Sequence, residues 1–209
     1  MGSRVLRVAL LLGLLAALAG AYLVWLRPWH ARWGATAEEV ARALAGDELW
    51  PDAARVEPRA LTVSSPPGEV WAWVRQLGQD RGGFYSYQWL ENLARARIRN
   101  ADGLLPDMPE RAPGERMWLA SPEEWGGIGF VVVARVDPGR ALATLTHLGA
   151  DEAPVGTWAF VVEPLGPDRA RLLVRSRTGH AGAPPRLAPR LFDLLVFAPA
   201  PFVMERRVM

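Results

Sequence analysis

Val8 to Leu26 is a run of nineteen residues without a charged side chain, and no other feature restricts the chain as much. In hydrocarbon every backbone N–H and C=O needs an internal partner, so a run that enters a bilayer must be helical. At 1.5 Å per residue it spans roughly 28 Å, close to the apolar thickness of a membrane. The competing reading is a secretory signal peptide with Ala17-Leu18-Ala19 as its cleavage site. Hydrophobicity continues past that site through Tyr22, Leu23, Val24, Trp25 and Leu26, which a cleaved segment does not need, so the anchor is favoured. Trp25, Trp29 and Trp33 recur every four residues, and on a helix such indoles share one face suited to the headgroup region. Trp29 and Trp33 could equally pack on the domain that follows, and Pro28 disturbs the alignment. Arg4 and Arg7 nearly balance Arg27 and Arg32; the short basic head favours a single-pass protein with an extracytoplasmic body.

All 24 basic residues are arginine, and the chain has no cysteine and three histidines. Schiff-base chemistry, Gly-Lys-Ser/Thr phosphate loops, thiol nucleophiles and thiolate metal sites are therefore excluded. His30, His147 and His180 share no metal-ligand spacing, and neither a metal nor another cofactor is expected. The sequence pI of about 9.6 suggests a polyanion partner, but the arginines are unevenly placed. Residues 1–32 carry four arginines and no acid, leaving 20 arginines against 22 acids beyond them, a net of −2. A nearly neutral body argues against nucleic acid.

Thr36-Ala-Glu-Glu39 is a capping box opening a short helix to about Leu44, with Gly46 placed to end it. Asp47 to Pro58 reads as an irregular crossing, and Arg59 to Val63 as a strand. Ser64 to Leu77 reads as a helix with proline in its first turn and an apolar stripe of Val70, Trp73, Val74 and Leu77. A glycine-rich turn then leads through Phe84, Tyr85, Tyr87 and Trp89 into a second helix and a polar loop with Arg99, Asn100 and Asp102. Strands follow at Gly114 to Leu119, Phe130 to Val136, Ala141 to Thr146, Gly156 to Glu163 and Arg169 to Arg177. In the last, Leu172, Val174 and Ser176 face one way and Arg171, Leu173, Arg175 and Arg177 the other. Period two thus predicts a sheet with an apolar face and a cationic, solvated one. Residues 186–204 read as an amphipathic helix laid on the sheet, kinked or split at Pro199 and Pro201. The segment organisation is an anchor with its flank at 1–33, a capped helix and linker at 34–58, and a domain at 59–209.

The unit of strand, Ser64-Ser-Pro-Pro-Gly-Glu-Val-Trp71, the hairpin Val136-Asp-Pro-Gly-Arg-Ala-Leu142 and the hairpin from Thr157 to Arg177 resemble the START and birch-pollen-allergen superfamily, SRPBCC. The block Arg81-Gly-Gly-Phe-Tyr-Ser-Tyr-Gln-Trp-Leu-Glu-Asn-Leu93 with Asn100-Ala-Asp102 resembles a membrane-anchored bacterial branch of it. The resemblance covers about residues 33–209. It implies an α+β helix-grip fold: a curved antiparallel sheet wrapped around a long carboxy-terminal helix, here behind one transmembrane helix. The last helix would be expected to continue past Met209. The superfamily includes lipid carriers, polyketide cyclases and ring-hydroxylase subunits, so the resemblance speaks for fold more than function.

Such a fold leaves an apolar cavity between sheet and helix. Its expected lining is Trp73, Phe84, Tyr85, Tyr87, Trp89, Trp118, Trp158 and Phe160, with Arg81, Tyr85, Tyr87 and Asn100 orienting an acidic or carbonyl head. The expected function is non-catalytic, membrane-tethered binding of a hydrophobic small molecule or lipid. The alternative is a cyclase- or hydrolase-like enzyme using Tyr85, Tyr87, Glu91 or Asp102 for proton transfer. A cavity of some 300 Å³ or more would favour binding.

Overall fold

Period-two alternation does build a sheet with two chemically different faces. In the computed structural model, which describes residues 2–147, 149, 153–180 and 199–208, six strands pair antiparallel. They are β1 (Ala53–Val63), β2 (Arg116–Trp118), β3 (Phe130–Asp137), β4 (Ala141–Thr146), β5 (Gly156–Gly166) and β6 (Arg169–His180), in the order β1-β6-β5-β4-β3-β2. The sequence β1, two helices, meander and terminal helix is that of a helix-grip fold. Leu142, Phe160, Val162, Leu172 and Val174 face inward, against Val70 and Val74 of helix α4 (Pro67–Arg75), Leu77 just beyond it, and Phe84. Ala60, Ala141, Val161 and Leu173 face outward, against Leu44.

β1 begins six residues before the expected Arg59 and includes Pro58. Proline has no N–H for a ladder, and β1 tolerates it because it is an edge strand. The Ala60 N–H, of the same parity as Pro58, donates away from the sheet to the Trp33 carbonyl at 3.0 Å. This close crossing requires Gly34, where φ is +72° and a Cβ would stand 2.0 Å from the Ala60 oxygen.

The amino-terminal segment is helical from Gly2 to Ala31: α1 (Gly2–Ala21), a π turn at Tyr22–Leu26, and α2 (Arg27–Ala31). The wide turn falls immediately before Pro28, which cannot donate to the carbonyl four residues back. Among the described residues one helix, Val5–Ala31, is long and apolar enough to cross a membrane, with mean hydropathy 2.3. Trp25 is exposed, whereas Trp29 and Trp33 touch Phe202 edge-on at 5.4 and 6.2 Å. The belt is therefore divided, with two of its indoles also packing on the domain.

The expected solvated arginine face is a correction. It is roofed by the segment 34–51. The capping box forms as read, with the Thr36 hydroxyl accepting from Glu39 N at 3.2 Å and Glu39 Oε2 accepting from Thr36 N at 2.7 Å. Its helix α3 (Ala37–Ala41) stops short of Leu44 because Arg42 is extended. Beyond it, Gly46 leads into a 3₁₀ turn at Asp47–Leu49. Arg171 meets both Glu39 oxygens at 2.7 and 2.8 Å and the Gly34 carbonyl at 2.6 Å. Arg175, only 2% exposed, donates to Asp47 and to the carbonyls of Glu39 and Arg42. Arg177 holds the carbonyls of Trp50 and Pro51 at 2.8 and 2.9 Å. Periodicity reports which side chains share a face; it cannot report that another segment brings carboxylates and carbonyls to that face.

Hydrogen bonding from Arg171 holds the Glu39 carboxyl down to about 2, against an ordinary value of 4.5, with the Thr36 N–H adding to the effect and burial opposing it. A depressed acid stabilises the fold above its unfolded value and loses that contribution as pH falls through the folded one. Stability should therefore fall between about pH 4.5 and pH 2, and Glu39→Gln should lose stability at pH 7 while flattening that acid limb. Urea unfolding midpoints at pH 7 and pH 3 test this; an unchanged acid limb in the variant would refute it.

The segment 186–204, expected as an amphipathic helix, lies outside the described residues as far as 198. From there α6 (Pro199–Val208) is helical. It buries Phe202 and Glu205 and brings Val208 onto the inner cluster.

Candidate functional site

The inner face carries two sites side by side, one apolar and one charged. The apolar one is a cavity of about 260 Å³ bounded by Val63, Ser65, Glu69, Val70, Trp73, Val74, Leu77, Tyr85, Phe160, Leu172 and Val208. It exists because α4 turns one stripe to the sheet at helical spacing while β5 and β6 supply alternate residues, and the two periods leave space between them. At its polar margin the Ser65 hydroxyl donates to Glu69 Oε2 at 2.7 Å. The volume lies just below the roughly 300 Å³ at which small-molecule pockets usually begin.

Tyr85 reaches this cavity from a constrained loop. Its φ is +56°, a left-handed conformation that side-chain-bearing residues rarely adopt. Asn100 Oδ1 holds the loop by accepting from the Phe84 and Tyr85 N–H groups at 3.1 and 2.9 Å. The buried Gln76 donates to the Tyr85 hydroxyl and to the Gly103 carbonyl at 3.2 Å, and accepts from Leu105 N at 2.8 Å. Trp73 meets the Tyr85 ring edge-on at 4.9 Å. Burial pushes the Tyr85 phenol up from its ordinary value, so it is protonated at neutral pH.

The expected lining residues divide accordingly. Trp73, Tyr85 and Phe160 line the cavity. Phe84 and Trp158 stack behind it, their rings 6.0 Å apart, with Trp158 4.6 Å from Phe160. Tyr87 lies under the Arg207 guanidinium at 5.0 Å. Trp118 packs on Phe130 at 5.4 Å toward the β2 edge. Trp89 is 66% exposed, because helix α5 (Gln88–Leu93) turns Glu91, not Trp89, inward. Arg81 and Asn100 are loop ties: Arg81 holds the Arg75 and Pro109 carbonyls at 3.0 and 2.8 Å and Glu115 at 3.0 Å. Apart from its three aromatics, the apolar lining is aliphatic: Val63, Val70, Val74, Leu77, Leu172 and Val208. The α4 stripe and the inward residues of β6 were the signals for most of it.

The proton-transfer candidates do not form a unit. Asp102 is exposed. Glu91 is buried, with Oε2 unpaired and its carboxyl pushed up by burial. Among the described residues the side chains of Tyr85, Tyr87, Glu91 and Asp102 share no hydrogen bond, the Glu91 N–H donating to the Tyr87 carbonyl at 3.1 Å as an ordinary helix bond, and no three His, Asp or Glu side chains gather as metal ligands.

The charged site lies beyond Trp158. Arg59, 1% exposed, donates to Glu57 at 2.9 Å, to Glu205 of α6 and to the His30 carbonyl at 3.0 Å. The Trp158 indole N–H donates to the other Glu205 oxygen at 3.0 Å. Burial pushes the Glu205 carboxyl up, and Arg59 opposes it. Three distant segments thus meet at one guanidinium: the end of the apolar amino-terminal helix, the edge strand and the terminal helix. Alternation in β1 could have placed Glu57 and Arg59 on one face; nothing local pointed to Glu205.

No family model and no curated protein sequence matches the chain. Solved structures of similar fold include a protein from Mesorhizobium loti, 16% identical, with a TM-score of 0.42 over 74% of this chain and 94% of that one. DynU16, from the dynemicin biosynthetic locus, is 15% identical with a TM-score of 0.42 over 73% of this chain, which spans 45% of DynU16. The similar structures also include a START superfamily protein from Mycobacterium smegmatis, 15% identical with a TM-score of 0.34 over 72% of this chain and 95% of that one.

Proposed function

We propose that this chain is a membrane-tethered, non-catalytic binder of a small apolar molecule or single lipid chain, held between α4 and the inner face of the sheet. The cavity carries the reading: about 260 Å³, walled by aliphatic and aromatic side chains, with Ser65, Glu69 and Tyr85 as its polar or amphipathic members. Its size suits one short acyl chain or a small ring system better than a diacyl lipid. The Val5–Ala31 helix supports tethering, and the short basic head with Arg4 and Arg7 favours an extracytoplasmic body. A bilayer would then be the reservoir from which an apolar ligand is drawn.

The test uses the full chain in vesicles with a diazirine-bearing fatty acid as probe. Photolysis is expected to label peptides containing Val63 to Leu77, Phe160 and Leu172. Leu172→Trp, which fills the cavity, should reduce that labelling more than tenfold while labelling of Val5–Ala31 stays constant. Adducts confined to the amino-terminal helix in the unsubstituted chain would refute cavity binding.

A further inference from the structure

We propose that the exposed face of α5, with the adjoining loop 121–129, is a second membrane contact that docks on anionic lipid headgroups. Trp89 and Leu93, at i and i+4, are 66% and 73% exposed on one face of α5. Large apolar side chains paired in this way on a short helix leave an apolar surface uncovered. The patch continues into Trp125 and Ile128, both exposed. The Trp125 indole N–H already donates to the Ala94 carbonyl at 2.8 Å, so its ring can enter an interface without leaving a polar atom unpaired.

Charge selects the partner. Arg95 and Arg99 are exposed at the rim, beside Arg97. Of the two acids in the loop, Glu124 pairs with Arg97, and Glu123 accepts from the Ser121 hydroxyl at 2.6 Å and keeps its charge, so Arg95, Arg97 and Arg99 stand against two carboxylates. Aromatic and aliphatic groups rimmed by Arg95 and Arg99, which have no carboxylate partner among the described residues, suit a headgroup layer carrying negative charge. Position agrees. Two consecutive residues of α6 bridge the anchor flank and the residue that precedes α5, Arg206 over the Trp33 ring at 5.4 Å and Arg207 over the Tyr87 ring at 5.0 Å. The amino-terminal end of α5 is thereby linked through α6 to the flank of the apolar helix. The inference rests on the tethered reading for that proximity.

The chain has no cysteine, so Leu93→Cys accepts a single polarity-sensitive nitrobenzoxadiazole label. The full chain is reconstituted in phosphatidylcholine vesicles with and without phosphatidylglycerol. The label is expected to shift to the blue and be quenched by lipid-borne nitroxides when phosphatidylglycerol is present. Arg95→Gln with Arg99→Gln should then move the docked-to-undocked ratio about 30-fold toward undocked. Water-like emission in anionic vesicles overturns the proposal. So does a label shielded from aqueous iodide yet beyond reach of the lipid nitroxides, which would place a protein on the patch. An alkaline carbonate wash follows the optical reading; release of the chain refutes tethering, while the emission before the wash has already decided docking.

Discussion

Arg59→Met is expected to cost about 3 to 5 kcal/mol of folding stability, the usual consequence of removing one member of a buried ion pair. The guanidinium is the common partner of Glu57, Glu205 and the His30 carbonyl. Its loss strands two carboxylates where little water can reach them. Replacing the whole cluster, as in Glu57→Leu with Arg59→Met and Glu205→Leu, should recover most of that loss, because apolar groups of similar volume fill such sites about as well as buried ions. Urea unfolding of the full chain in detergent, followed by tryptophan fluorescence, measures both. A loss under about 1 kcal/mol in Arg59→Met would mean that water already solvates the cluster. Because the cluster joins the amino-terminal helix, β1 and α6, the variant should also weaken the seating of α6 beside the cavity.

On the other face, Arg175→Met is expected to lose about 2 to 4 kcal/mol. Three acceptors depend on this guanidinium: the Asp47 carboxylate and the carbonyls of Glu39 and Arg42. The Asp47 side chain is 15% exposed and Arg177 lies 3.4 Å from its other oxygen, which keeps the cost below that expected for Arg59. Arg135→Met is the matched comparison. Arg135 also bridges two acids, Glu48 at 2.8 Å and Asp137 at 2.7 Å, but its side chain is 42% exposed, and solvent screening should keep the loss well below that at Arg175. Equal losses at the two positions, in the same unfolding assay, would contradict the roofing of the outer face by residues 34–51.

Much of this arrangement was legible in order of range. The capping box at Thr36 and Glu39, the turn at Asp137 to Arg140, the α4 stripe and the strands of the meander depend on neighbours within a few residues, and sequence spacing carries that information. Longer contacts were less visible. Pro58 looked like a strand breaker because its tolerance depends on β1 being an edge. Trp89 looked like a lining aromatic because a six-residue helix is too short for its apolar positions to declare which face is inward.

The sequence by itself determined an apolar amino-terminal helix of membrane-spanning length, a near-neutral arginine-balanced body without lysine or cysteine chemistry, and a sheet whose two faces differ. Only the tertiary structure decided what covers each face. Arg171, Arg175 and Arg177 of β6 became ties because residues 34–51 fold back with Glu39, Asp47 and five carbonyls. The inner face acquired a cavity and a charged cluster because α4 and α6 cross it at different places. The physical reason is that periodicity fixes the direction of a side chain relative to its own strand or helix. Its partner is fixed by chain segments as much as 146 positions away, as Arg59 and Glu205 are, and by the cost of leaving a buried charge unpaired.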